Sequence, residues 1–131
     1  MPNYQYASEW LDFARKHLET ANLLFRENHY ADIIAYELHQ TIEKAFKAVL
    51  AYNAVKLIRT HNLMELHKEC CNYLDLSTID LDNLIEINDY YENERYPGPK
   101  YTLPSMDEID RNMKLCYDIY TLISSYIHNK N

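Results

Sequence analysis

Three groups of side chains in this sequence carry residue types and spacings suited to chemistry on a charged ligand. The first is Arg95 and Tyr96, which stand directly before Pro97-Gly98-Pro99 and are followed by Lys100 and Tyr101. This short break holds the chain's only glycine and two of its four prolines. A guanidinium can hold a phosphate through two parallel hydrogen bonds, and a tyrosine can stack on a base or donate its hydroxyl. The structural alternative pairs Arg95 with Glu92 or Glu94 and packs Tyr96 beneath the proline loop. The second group is Lys44 and Lys47, three apart on one helix face, with His39 and Glu43 offset from them. Such a face can meet a phosphate or an acidic partner. Its plainer reading is a solvated surface on which Glu43 and Lys47 form an i, i+4 pair worth a few tenths of a kcal/mol. The third group is Arg59 and His61, just before a helix start whose free amides would attract an anion, with the arginine reinforcing them. His61 can equally be a buried capping residue whose ring bonds a backbone carbonyl.

Other chemistry finds less support. His61 with Glu65, and His67 with Cys70, are helix-spaced pairs that could offer two metal ligands each, but no second matching pair completes a site and no metal is expected. No Ser/His/Asp order, glycine-rich phosphate cradle or paired catalytic carboxylate can be argued from spacing. Most of the thirteen tyrosines fall within apolar stripes and read as core residues with a polar tip. Tyr90, Tyr91, Tyr96 and Tyr101 are the exceptions, clustering around the proline loop.

The elements that must position these groups are helices. One glycine in 131 residues leaves little material for hairpin turns that need positive φ, and the Leu, Ala, Glu, Lys and Ile content favours an all-α fold. The length fits one domain, residues 1–131, able to bury about two thirds of its unfolded surface without a disulfide or metal. Five segments can be read. The first runs from about Ser8 to Glu27 with a stripe of Trp10, Ala14, Leu18, Ala21 and Phe25. A break at Asn28-His29 leads to the second, about Tyr30 to Asn53, with an inner face of Ile34, Leu38, Ile42, Ala45, Val49 and Tyr52. So short a break makes the two an antiparallel hairpin. The third starts at Asn62, with Glu65 three positions on in the manner of a capping box, and ends near Leu74. The fourth spans about Leu81 to Glu94, with Leu81, Leu84, Asn88 and Tyr91 on one side. The last opens on the capping box Ser105-Met106-Asp107-Glu108 and carries Ile109, Met113, Cys116, Tyr120, Ile123 and Ile127. A second flank of Leu115, Ile119, Leu122 and Tyr126 widens its apolar face, so this helix is expected to be central or to contact a second subunit.

Charge and cysteines narrow the function classes. Thirteen basic against twenty acidic residues give a net charge of −7, which opposes bulk binding to nucleic acid. Cys70, Cys71 and Cys116 are odd in number and two are adjacent. That pattern suits reduced thiols in a cytoplasmic protein, Cys70 and Cys71 pointing one inward and one outward. No basic stretch followed by an apolar run opens the chain, so no signal peptide is expected, and no run approaches the ~20 apolar residues of a membrane span.

Four blocks, in order, resemble the HEPN superfamily (higher eukaryote and prokaryote nucleotide-binding domains), in particular its small stand-alone prokaryotic members. They are the amphipathic opening helix from Trp10 to Ala21; the stretch from Tyr36 to Leu50, whose Gln40-Thr41-Ile42-Glu43-Lys44-Ala45-Phe46-Lys47-Ala48 is similar to Q-x-x-E-K-A-x-K-A; Arg59-Thr60-His61-Asn62-Leu63 followed by Leu66, like R-T-H-x-L; and Arg95-Tyr96-Pro97, like the family's R-Y-P loop. The resemblance implies an up-and-down bundle of four or five helices, commonly a homodimer and often encoded beside a small nucleotidyltransferase. It implies a nucleotide or phosphate ligand, for which Arg95, Tyr96, Lys44, Lys47, Arg59 and His61 are the candidate contacts. RNA-cleaving members carry an arginine followed after four to six residues by a histidine. Here Arg59 precedes His61 and His67 at other spacings, Arg15 and Arg26 stand too close to His17 and His29, and Arg95 has no histidine until His128. The expectation is therefore a non-catalytic binding domain with no catalytic residue. A ribonuclease toxin of a toxin–antitoxin pair, using Arg59 with His61, is one alternative; a purely structural dimerisation module is the other.

Overall fold

Asn3 opens the fold by accepting a hydrogen bond from the amide of Tyr6 at 3.1 Å, an N-cap that starts the first helix four residues earlier than its apolar stripe suggests. The computed structural model describes residues 3–95 and 103–129, the side chains of residues 92–95 excepted. Five helices follow in order: α1 (Tyr4–Arg26), α2 (Ala31–Tyr52), α3 (Leu63–Cys70), α4 (Leu81–Arg95) and α5 (Met106–His128). Among the described residues there is no strand, so the all-α bundle expected from composition is what forms. Among the described residues, no helix is long and apolar enough to cross a membrane.

A chain this poor in glycine ends its first two helices with other residues. After α1, Asn28 takes φ 53°, and the amides of Asn28 and His29 reach back to Phe25 and Leu24 at 3.1 and 2.9 Å. After α2, Ala54 takes φ 56°, and the amides of Ala54 and Val55 reach Ala51 and Leu50 at 3.1 and 3.0 Å. Both are Schellman endings, which satisfy the last carbonyls by turning one residue left-handed. Asparagine tolerates that conformation; alanine adopts it at a cost. The first ending turns the chain back at once, giving the antiparallel α1–α2 hairpin.

The central element is α2, which packs against all four other helices. From Leu38 to Tyr52 every residue but the half-buried Lys44 is buried. The wide apolar face of the last helix suits either a central helix or one that contacts a second subunit; α5 is not the central one, since it lies on the flank, packs on α1, α2 and α4 and leaves Tyr117 62% exposed. Its predicted seam is nonetheless real, with Ile109, Cys116, Ile123 and Ile127 buried. The third helix also stops short of Leu74. Cys70 is its last buried position and residues 71–73 are exposed, so a further turn would have had no face to bury. Cys70 and Cys116 are buried and Cys71 is exposed. Burial pushes both buried thiols well above the usual range, and each donates to a carbonyl of α2, Phe46 at 3.3 Å and Leu38 at 3.5 Å.

A polar clasp joins α4 to α5. The buried amide of Asn112 donates to Glu86 at 2.7 Å and to the Tyr90 hydroxyl at 2.8 Å, and that hydroxyl donates to Glu108. Ser105 caps α5 by accepting from the Glu108 amide at 3.1 Å, but the Glu108 side chain goes to Tyr90 and does not close the box. Burial first, and the Glu108 carboxylate next, push the Tyr90 hydroxyl far above its ordinary range, which keeps it a donor. The clasp fixes α4, and with it the face carrying Asn88, Asp89 and Tyr91.

Candidate polar centre and recess

Glu43 sits near the middle of α2, 1% exposed, on a stretch of helix that is buried almost throughout. A carboxylate there must be satisfied on every side or lose its charge. Lys47, one turn on, donates to one oxygen at 2.9 Å, and Lys44 approaches the same oxygen at 3.3 Å. The other oxygen accepts from His61 Nδ1 at 3.0 Å. Burial opposes ionisation of Glu43, but the Lys47 bond, the Lys44 charge and the His61 bond together outweigh it and hold the carboxyl at about 2. Lys44 also donates to Gln40 at 2.8 Å, and the Lys47 ammonium lies 5.6 Å from the Trp10 ring centre, a cation–π distance.

His39 locks the connection between α2 and α3 onto this centre. Its Nε2 lies 2.8 Å from the carbonyl oxygen of His61. A carbonyl can only accept, so Nε2 carries the proton and Nδ1 is bare. Burial above all else lowers the His39 imidazole to about 4, so it stays neutral at physiological pH. The His61 ring then lies nearly parallel to Tyr91 of α4, with centroids 4.4 Å apart and planes 16° apart. Residues from α2, the connection and α4 thus meet at one point, and the bond to Glu43 holds His61 with Nε2 turned away from the carboxylate.

In front of His61 and Tyr91 opens a recess of about 450 Å³, lined further by Arg59, Asn62, Glu65, Asn88 and Asp89. The start of α3 forms one wall, but its amides are not free for an anion as its sequence suggests. Asn62 accepts from Met64 and Glu65 at 2.9 and 3.3 Å, and Asn88 from α4 accepts from Leu63 at 2.8 Å. The Asn62 amide itself is taken by Thr60 Oγ1 at 3.0 Å. The cation that remains is Arg59, exposed and with no ion pair to any described residue.

The six candidate residues therefore divide. Arg59 and His61 come together at the recess. Lys44 and Lys47 join the same centre from behind through Glu43; they do not line the recess, and the face they share is not solvated. The Arg95 side chain and Tyr96 lie outside the described residues. The bond between a histidine ring and a backbone carbonyl exists, but it is His39 that makes it to His61, whose own side chain remains 54% exposed. Three participants were not singled out from sequence as site residues. In the sequence Asn88 stands out only as a position on one side of the fourth helix, Tyr91 only there and near the proline loop, and Glu43 only as half of a surface pair. A signal for Glu43 was present: α2 is apolar on nearly every side, and a helix of that kind has no solvated face on which to place a charge. Among the described residues no group of three or more His, Cys, Asp or Glu could hold a metal ion.

Comparison with known proteins adds three findings. The family model of the HEPN domain matches residues 7–126. A protein of Methanocaldococcus jannaschii named "Putative toxin MJ1304" is 28% identical over 109 residues, which are 82% of this chain and 70% of that one. Two solved structures share the fold, each with a TM-score of 0.71 at 21% identity. ST0689, described as an archaeal HEPN homologue, is matched over 92% of this chain and 97% of its own. TT1696 from Thermus thermophilus is matched over 91% and 96%.

Proposed function

The chain belongs to the HEPN family, and from that premise we propose that it is a binding domain whose recess at Arg59, His61 and Tyr91 takes a phosphate-bearing nucleotide. The observation that carries this reading is an arginine with no ion pair among the described residues, beside an aromatic pair that a buried carboxylate holds in place. Arg59 would supply the phosphate contact, and the exposed edge and face of His61 a surface on which a base can rest. Glu43, His39, Lys44 and Lys47 would act behind the recess, as the groups that fix His61. Arg95 and Tyr96 are proposed as further contacts on the strength of the R-Y-P motif. A domain of this kind would work as a homodimer in the cytoplasm, with a small nucleotidyltransferase as partner. The test is thermal unfolding of the purified chain with nucleotides at millimolar concentration. A rise in melting temperature is expected, absent in Arg59→Ala and reduced in Arg95→Ala. A folded protein whose melting point no nucleotide moves would overturn the proposal.

One observation favours a second reading. The Glu43–His61 bond leaves the His61 Nε2 turned away from the carboxylate on the same recess as a cationic Arg59, and an imidazole nitrogen beside a cation is what attack of a ribose 2′-hydroxyl on its neighbouring phosphate requires. The relative named "Putative toxin MJ1304" supports the toxin half of this reading and says nothing of its chemistry. Growth arrest on expression, lost in His61→Ala and accompanied by RNA cleavage in vitro, would replace the binding-domain reading with this one.

A further inference from the structure

We infer that the recess selects a ribonucleoside monophosphate over a nucleoside polyphosphate, with Glu65 and Asp89 accepting from its ribose hydroxyls. The inference rests on the phosphate-binding reading of Arg59 and adds what the rest of the lining requires of the ligand.

The first step is a count of charges. Three charged side chains line the recess, Arg59, Glu65 and Asp89, and none has an ion pair to any described residue. Arg59, with Arg95 as the proposed second contact, matches the roughly two negative charges of one phosphate monoester. A second or third phosphate would need more donors, and the described walls have none to give. The first-turn amides of α3 are held by Asn62 and Asn88. The ammonium groups of Lys44 and Lys47 are held by Glu43 and do not reach the lining. A longer phosphate chain would instead extend toward Glu65 and Asp89, where like charges repel.

The second step concerns what two carboxylates without cations can recognise. An ionised carboxylate is an acceptor only, so it suits a neutral ligand group that donates. On a nucleotide, the donors next to the phosphate are the sugar hydroxyls, and an acidic side chain on a ribose hydroxyl is a recurring way to hold one. The dimensions agree: about 450 Å³ is at the small end of ligand pockets and suits one nucleotide. His61, 54% exposed and held flat by Tyr91, remains for the base.

The experiment is isothermal titration of the full chain, without divalent cations, using ribonucleoside monophosphates of all four common bases, their 2′-deoxy counterparts and the matching triphosphates. At least one monophosphate is expected to bind roughly tenfold tighter than both its deoxy form and its triphosphate, the size of effect that one charged hydrogen bond supplies. Glu65→Gln and Asp89→Asn change no buried contact, so folding should survive. Each should strengthen triphosphate binding and narrow the gap between ribose and deoxyribose. Triphosphates binding as well as monophosphates, or deoxy forms as well as ribo forms, would overturn this inference and leave the phosphate reading standing. No binding by any nucleotide would overturn both.

Discussion

Glu43 decides more about this protein than any other residue, because its charge is buried and shared among three donors. Removing one member of such a network leaves the others uncompensated. Glu43→Gln keeps the shape but strands Lys47 and Lys44, and is expected to cost roughly 3–5 kcal/mol of stability, read as a lowered midpoint in urea. It should also release His61 and weaken any nucleotide-dependent rise in melting temperature. The same centre sets a pH dependence whose sign follows from the two shifts. His39 titrates at about 4 in the fold against 6.5 in the unfolded chain. Between those values the unfolded chain binds a proton that the folded one does not, so stability falls as pH drops through that window. Glu43, at about 2 against 4.5, extends the loss from about pH 4.5 downward. The His39 share is on the order of 1–3 kcal/mol. His39→Gln keeps a donor for the His61 carbonyl but cannot titrate. Its melting temperature should therefore change less than that of the parent between pH 6.5 and 4, and equal slopes would refute the assignment.

Among the elements, the ends of helices give the clearest tests. Ala54 holds a left-handed conformation that glycine adopts without strain. Ala54→Gly is expected to stabilise by about 0.5–1 kcal/mol, the relief of strain exceeding glycine's extra freedom in the unfolded chain. Asn88→Ala should cost about 1 kcal/mol, since it removes the acceptor for the Leu63 amide and loosens α3 against α4; a changed denaturant midpoint with unchanged slope would check each. These features also mark where the sequence was readable. The stripes of α1 and α2 and the caps at Asn62 and Ser105 rest on local spacing, and local spacing carried them into the structure. The Schellman endings did not show, because scarce glycine suggests scarce positive φ, while Asn28 and Ala54 adopt it where the helix carbonyls demand it. The recess was half legible. Arg59 and His61 sit together in one short motif, so their types and order were enough. Tyr91 and Asn88 join them only because the Asn112–Tyr90–Glu108 clasp fixes how α4 lies, and no spacing within α4 encodes that.

At the scale of the whole molecule, the question is what covers the outer side of the α1–α5 pair. Leu18 of α1 with Met113, Tyr117 and Tyr120 of α5 line a groove of about 380 Å³, and a neighbouring one of about 220 Å³ shares Met113 and Tyr117 and adds Phe25. Tyr117 is 62% exposed there. Apolar surface left in water costs about 25 cal/mol for each Å², which favours covering such a strip with another copy of itself in the proposed homodimer. Its borders suit a self-complementary contact, because each carries both signs: Arg15 beside Asp12 and Glu19 on α1, and Lys114 beside Asp110 on α5. A two-fold axis along the groove would set the apolar strip of one copy against that of its partner. Tyr117→Arg places a charge in the middle of that strip without touching the core, so the helical signal and the response to nucleotide should persist. Light scattering at tens of micromolar chain is expected to give the mass of two chains for the parent and one for the variant. A parent that is already monomeric would overturn the dimer, and a variant that stays dimeric would move the interface elsewhere. Because the groove and the Arg59 recess share no lining residue, losing the dimer should leave nucleotide affinity unchanged, and a loss of both together would mean that the partner copy contributes to the site.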